Sequence, residues 1–314
     1  MILTIMGGRC GNQLFRYAIT KKISQMYPNE DILIDYRMLE KQNTQDPSFV
    51  NTLSEFKCTK YKEFRNGKFG ILCGKFNLVQ IAAYYFYMIW EKYARKAYSN
   101  VLFYNKQSNL QKIMNKLGIY NLIQGDEPLH RSWFKNKYIC GNYENRVYYD
   151  DIRTLLQSEI IPIQPTNGAD RLLDYICQNH CVCVSVRRGD FLKYKERNVC
   201  SQEYFYNAIE YILNTVDENL TFVFFSDEPE WVRKNLKVPY KIKVLYESGE
   251  DSISNKLYMM SKCRHFILSN STFCWWAWYL SEHFDEQIVI SPSKWFDMDG
   301  FKHPLIDNSW VLLQ

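Results

Sequence analysis

Long apolar runs are missing from this 314-residue chain, and no window is long enough to cross a bilayer. The nearest stretch, FNLVQIAAYYFYMIW at residues 76–90, stops short and carries Asn77 and Gln80. A disulfide framework is missing too, since the ten cysteines follow no regular spacing, and the chain opens straight into the strand-like MILTIM without a secretory leader. Those absences lead us to expect a reducing, cytoplasmic setting. There is no internal repeat and no low-complexity tract. Nor does one sign of charge dominate: 39 basic and 34 acidic residues leave a formal net charge of +5. That surplus suits an anionic partner, whether a nucleotide, a phosphorylated lipid or a membrane surface, but is small for a dedicated nucleic-acid binder.

What is present is enough apolar side chain, 46% of residues, to fill two cores in a chain whose length suits two domains. The first half begins with the strand ILTIM, the tight glycine turn GGRCGN, the helix QLFRYAITKKISQMY and the strand DILID, a βαβ pattern. Tyrosine-rich segments of weaker periodicity follow. A proline-bearing join, IIPIQPTNGAD at residues 160–170, then leads into a cleaner alternation. It reads as helix 170–178, strand 181–186, helix 201–214, strand 221–225, a short helix from Pro229, strand 241–246, helix 253–261, strand 265–268, a helix from Ser271 and strand 287–291. This is a doubly wound α/β pattern. We place the domains at 1–160 and 161–314, with the last residues free to pack back on the first.

Ligands of open α/β sheets bind beyond the carboxyl ends of the strands, where helix N-termini also point. Strand 181–186 delivers Arg187, Arg188, Gly189 and Asp190 there; strand 221–225 delivers Ser226 and Asp227; strand 265–268 delivers Ser269, Asn270, Ser271 and Thr272. Paired guanidinium groups can neutralise a diphosphate through forked hydrogen bonds. Ser271 or Thr272 would cap the following helix and leave backbone N–H groups for an anion. Asp227 could accept from a base edge or a ribose hydroxyl, and Asp190 is placed to be a base or a counter-ion. The GGRCGNQ turn, with Gly7, Gly8 and Gly11, is neither a dinucleotide fingerprint nor a P-loop, and by itself reads equally as a tight turn or a ligand contact.

Other features read as structural. Cys177, His180, Cys181 and Cys183 invite a zinc reading, yet Cys181 and Cys183 alternate with valines as small buried residues. Trp275, Trp276 and Trp278 read as core, and the acidic DMD of residues 297–299 reads as a solvated loop; no metal is expected. Residues 76–90 run into EKYARKAY, where Lys92, Arg95 and Lys96 adjoin tyrosines. That segment is either a helix packed in the first domain or an aromatic, basic helix touching anionic lipid.

Four stretches, MGGRCGNQLFRYA, VSVRRGDF, FFSDEPEWV and ILSNSTFCWWAWYL, resemble in order the motifs of the α-1,2-fucosyltransferases, bacterial members in particular. The resemblance implies an α/β GT-B-type glycosyltransferase, two Rossmann-like domains facing a cleft, the first on the acceptor side and the second binding the GDP-sugar. It implies inverting, metal-independent transfer of L-fucose from GDP-fucose, a co-substrate, to the 2-hydroxyl of a galactoside, with no cofactor, in bacterial surface glycan synthesis. On that reading Arg187 contacts the β-phosphate, supported by Arg188. Similarity to the protein O-fucosyltransferases, which share a GRxGN turn, implies that Arg9, Gly11 and Asn12 reach the donor from the first domain. Ser271, Thr272 and Phe273, with Ser226 and Asn270, line the phosphate and nucleotide site, and Asp227 lies near the nucleoside. Asp190, then Glu196, is the candidate proton acceptor. Ser185 stands where relatives commonly carry His, and Asn255 and Lys256 where they often carry acids. A lipid-linked, galactose-containing acceptor and peripheral contact with the inner face of the membrane fit the same picture. The competing readings are another GDP-sugar transferase with a different linkage, a non-catalytic binder of nucleotides or acidic glycans, and, last, an RNA-binding protein.

Overall fold

A computed structural model describes the chain at residues 1–164, 171–217, 219–239, 241–284, 286–298 and 302–314. It divides into two compact units. The first holds Met1–Ser54, Cys58–Leu156 and Asp299–Pro304; the second holds Glu55–Lys57, Gln157–Met298 and Leu305–Gln314.

In the first unit, β1 (Ile2–Ile5) is buried along its whole length, as a parallel strand with both faces covered must be. It pairs in parallel with β2 (Ile32–Asp35) on one side and β5 (Lys137–Ile139) on the other. The edges are β3 (Lys62–Glu63) and β4 (Ile119–Tyr120), for an order β3-β2-β1-β5-β4. Gly8, at φ +82°, makes the turn after β1, a left-handed conformation that costs glycine little. The turn is complete by Arg9, so α1 (Cys10–Met26) begins three residues before the apolar pattern suggests. The unit is filled out by α2 (Arg37–Gln45), α3 (Leu78–Ala97) and α4 (Asn100–Lys116), and α5 (Arg153–Glu159) spans the division between units. Leu3, Ile5, Ile119 and Tyr138 of the sheet pack with Tyr87 and Met114 of the helices.

The second unit follows the alternating pattern closely. Its elements are α6 (Arg171–Gln178), β6 (Cys181–Val186), α7 (Gln202–Thr215), β7 (Thr221–Ser226), α8 (Pro229–Asn235), β8 (Lys243–Tyr246), α9 (Ile253–Ser261), β9 (His265–Ile267), α10 (Thr272–Tyr279), β10 (Val289–Pro292) and β11 (Val311–Leu313). All strand pairs are parallel, in the order β11-β10-β9-β6-β7-β8. The last residues therefore supply an edge strand to this sheet, while residues 302–304 group with the first unit. Asp299, in the acidic DMD stretch, and the join at 165–170 lie outside the described residues. Cys181 and Cys183 are fully buried in β6, and Trp275, Trp276 and Trp278 are buried along α10. Both units are Rossmann-like, as expected.

Candidate functional site

In the second sheet the chain steps outward from β6 to β7 and β8, then returns to place β9 on the other side of β6. Neighbouring strands whose connections depart in opposite directions leave a crevice at their carboxyl ends. Arg187 to Asp190 follow β6 and Ser269 to Phe273 follow β9, so both sets stand at this switch point, with Ser226 and Asp227 beside them at the end of β7.

Three carboxylates organise the two arginines. Arg187 Nη1 lies 3.1 Å from Asp227 Oδ2, and its Nη2 pairs with Asp190 Oδ1. Of the two readings for Asp190, the counter-ion contact is the one observed, with Arg197 Nη1 4.0 Å from its second oxygen. Arg188 donates from its backbone N–H to Asp227 Oδ1 at 2.9 Å and from Nε to Glu228 Oε2 at 3.0 Å. Its guanidinium carbon sits 3.2 Å above the centre of the Trp231 ring. Gly189 N–H donates to Glu228 Oε1 at 3.1 Å. Gly189 itself is at φ +27°, and a Cβ there would lie 2.6 Å from Asp227 Oδ2. The side chains of Arg187 and Arg188 remain 23% and 19% exposed, so an anion can reach both.

On the opposite side of the switch point, Ser271 caps α10. Its Oγ accepts from Phe273 N–H at 3.3 Å, and Thr272 and Phe273 are half-buried at the helix start. Asn270 ties neighbouring loops together. Its Nδ2 donates to the carbonyls of Arg197 (2.9 Å) and Trp295 (2.8 Å), fastening the loop after β6. Ser226 also turns inward, its Oγ accepting from Glu228 N–H at 3.0 Å and its own N–H donating to buried Glu247 at 2.8 Å. Burial pushes the Glu247 carboxyl up, against the pull of Lys256 at 2.7 Å. Ser185 is buried in β6 and meets Ser269 at 3.5 Å. Glu196 is exposed, and its carbonyl accepts from Asp297 N–H at 2.8 Å.

In the first unit, the central strand β1 delivers the glycine turn at its carboxyl end. Arg9 precedes α1 there and donates to Asp46 Oδ2 and Ser48 Oγ, both at 3.0 Å, with its guanidinium carbon 4.9 Å from the Phe49 ring centre. Gly11 and Asn12 occupy the first turn of α1. Gln13, buried behind them, donates to the carbonyls of Gly8 (2.8 Å) and Val50 (2.7 Å) and accepts from Thr52.

Several residues at these strand ends escaped the sequence reading. Glu228 and Trp231 hold Arg188, and both were visible in FFSDEPEWV without a role. In the first unit, Arg16 donates from Nη1 to Ile5 O at 2.6 Å and from Nε to Asn142 Oδ1 at 2.9 Å. Asn142 Nδ2 donates to Glu144 Oε1 at 2.8 Å, and His303 Nε2 lies 3.7 Å from Glu144 Oε2. Burial pushes Glu144 up to about 7 and His303 down to about 3. No local motif joins these four, so only the fold brings them together.

The model of glycosyl transferase family 11 matches residues 127–313. Among curated proteins, an alpha-1,2-colitosyltransferase of Escherichia coli is 28% identical over 169 residues, 51% of this chain and 56% of that one. The O-antigen biosynthesis glycosyltransferase WbnK of Escherichia coli is 32% identical over 143 residues, 44% of this chain and 46% of that one. A galactoside 2-alpha-L-fucosyltransferase of Caenorhabditis elegans is 28% identical over 107 residues, 32% of this chain and 30% of that one. The match thus spans about half the length of the two bacterial relatives and less than a third of the nematode one.

Proposed function

The chain belongs to glycosyl transferase family 11, and from that premise we propose that it transfers L-fucose from GDP-fucose, with inversion, to the 2-hydroxyl of a galactoside. The acceptor on this reading is a bacterial surface glycan, carried on a lipid at the cytoplasmic face of the membrane. The arginine pair at the β6–β9 switch point, opposite the Ser271-capped start of α10, is the observation that carries the proposal. Two Rossmann-like units in one chain are also the parts of a GT-B transferase. Among the described residues no helix is long and apolar enough to cross a membrane.

The chemistry follows from where charge develops. As the bond from the sugar to the diphosphate breaks, negative charge gathers on the β-phosphate, and donors already aimed there lower the barrier most. Arg187 exchanges Asp227 and Asp190 for the phosphate. Arg188, held by Glu228 and the Trp231 face, supports it without rearranging. Backbone N–H groups at the start of α10 add further donors. With two guanidinium groups supplying positive charge, the reaction proceeds without a metal or a further cofactor. The acceptor hydroxyl gives its proton to Asp190 once Arg187 has shifted to the phosphate, or else to exposed Glu196. Arg9, Gly11 and Asn12 are the first unit's candidates for donor contact.

A second reading, in which another GDP-sugar is the donor, has support in the names of two relatives, one of which names colitose and the other fucose. The deciding experiment incubates the protein, with EDTA present, with GDP-fucose and other GDP-sugars and with galactose-terminated acceptors. GDP release is followed and the product linkage is read by NMR. Fucose on the galactose 2-hydroxyl is expected. A product from another GDP-sugar alone would replace the donor assignment, and donor binding without turnover would make the protein a binder.

A further inference from the structure

We propose that α3, the Leu78–Ala97 helix of the first unit, seats the chain on an anionic phospholipid surface. The inference needs neither the donor nor the acceptor assigned above. It starts from a helix that is apolar on two faces. The inner face is accounted for: Tyr87 and Ala94 are buried, Gln80 donates to the carbonyls of Leu117 and Asn136, and Trp90 stacks on Phe103 of α4. The outer face is apolar as well. Leu78 is 83% exposed, Phe86 71%, Ile89 58% and Tyr93 65%, and with exposed Ala82 they recur every three or four residues along one side. A helix at the surface of a water-soluble unit puts polar residues there instead. A contiguous exposed apolar stripe marks something that covers it.

Charge identifies the cover. Lys92 and Lys96 are exposed and fall on the same side as the stripe, at its carboxyl end, four residues apart. The segment from Leu78 to Lys116 contains six basic residues (Lys92, Arg95, Lys96, Lys106, Lys112, Lys116) and a single acid, Glu91. That surplus of five equals the formal net charge of the whole chain, +5, so the rest of the sequence is balanced. An amphipathic helix with aromatic and aliphatic residues on one side, edged by lysine, lies in the headgroup region of an anionic bilayer without crossing it. Tyr85 and Tyr93, both exposed, suit the boundary between headgroups and acyl chains. A second copy of the chain fits worse, since a twofold contact would set the same cationic patch against itself.

The test is flotation of the full chain with phosphatidylcholine vesicles, with and without phosphatidylglycerol. Binding is expected only to the vesicles that contain phosphatidylglycerol, weakening as salt rises. Neutralising two lysines in K92Q/K96Q should reduce affinity about tenfold or more. Replacing the stripe in F86S/I89S should abolish binding, while circular dichroism and the melting temperature stay close to the parent because both side chains are exposed. No flotation of the parent with either vesicle at low salt would overturn the proposal. So would unchanged binding by F86S/I89S, or a concentration-dependent dimer that this variant dissolves.

Discussion

Arg187 and Asp227 meet at 3.1 Å across the carboxyl ends of β6 and β7. The contact follows from register: Val186 of β6 stands opposite Ser226 of β7, so the next residue of each strand is brought level as well. The second oxygen of Asp227 takes the backbone N–H of Arg188, so one carboxylate sets the position of both arginines.

Arg187→Ala should lower turnover about 100- to 1000-fold, the usual cost of removing a donor aimed at developing charge. Arg187→Lys should recover only part of it, since an ammonium cannot fork between phosphate oxygens. Steady-state rates with GDP-fucose, alongside circular dichroism spectra, check this; near-parental turnover by the alanine variant would remove Arg187 from the mechanism.

Gly189→Ala tests the carboxylate scaffold without touching a charge. The new Cβ would meet Asp227 Oδ2 at 2.6 Å, in a backbone at φ +27°. We expect a loss of about 1 kcal/mol or more in stability and a larger proportional loss in kcat, because a displaced Asp227 releases both arginines. Thermal melts and kinetics on the same preparation separate the two effects.

Ser271 separates helix capping from anion binding. Ser271→Ala removes the acceptor for Phe273 N–H and should cost about 1 kcal/mol. Ser271→Asp also caps a helix and should restore that stability, yet it places a negative charge where the diphosphate is proposed to sit. The Asp variant should therefore bind GDP more weakly than the Ala variant by calorimetry, despite its higher melting temperature.

Glu144 gives the first unit a pH signature. Burial raises its carboxyl from an ordinary 4.5 to about 7, so between those values the folded state keeps a proton that the unfolded state has lost. Its stabilising contribution is complete below about 4.5 and disappears as pH rises through about 7. His303 acts in the opposite sense, losing its contribution as pH falls from 6.5 toward about 3. The difference between Glu144→Gln and the parent isolates the carboxyl. The Gln variant should gain a few kcal/mol relative to the parent from pH 4.5 to above 7 in denaturant titrations. A difference independent of pH would show that Glu144 titrates normally.

Elements whose signals are local could be read directly. The apolar run Cys181–Val186 is β6 residue for residue; Pro229 opens α8, where its missing N–H costs nothing; and Ser271 caps α10 as its side chain suggests. In the first unit, β4 has two residues and β5 three, too short for any alternation to register, and β11 is equally brief. The helical segment 78–97 carries apolar residues on two sides, so its pattern alone left open which of them the unit would cover.

The order of strands, and with it the chemistry, came from the assembled sheets. Nothing in the spacing of Arg187, Asp227 and Ser271 sets them at one crevice. That requires β9 to dock beside β6 rather than beyond β8, a choice made by long-range packing of buried faces. The same holds for Arg16, Asn142, Glu144 and His303, spread from α1 to the end of the chain. Covalent neighbours dictate local conformation through sterics and hydrogen bonding, whereas polar groups distant in sequence become partners only when apolar surfaces find each other.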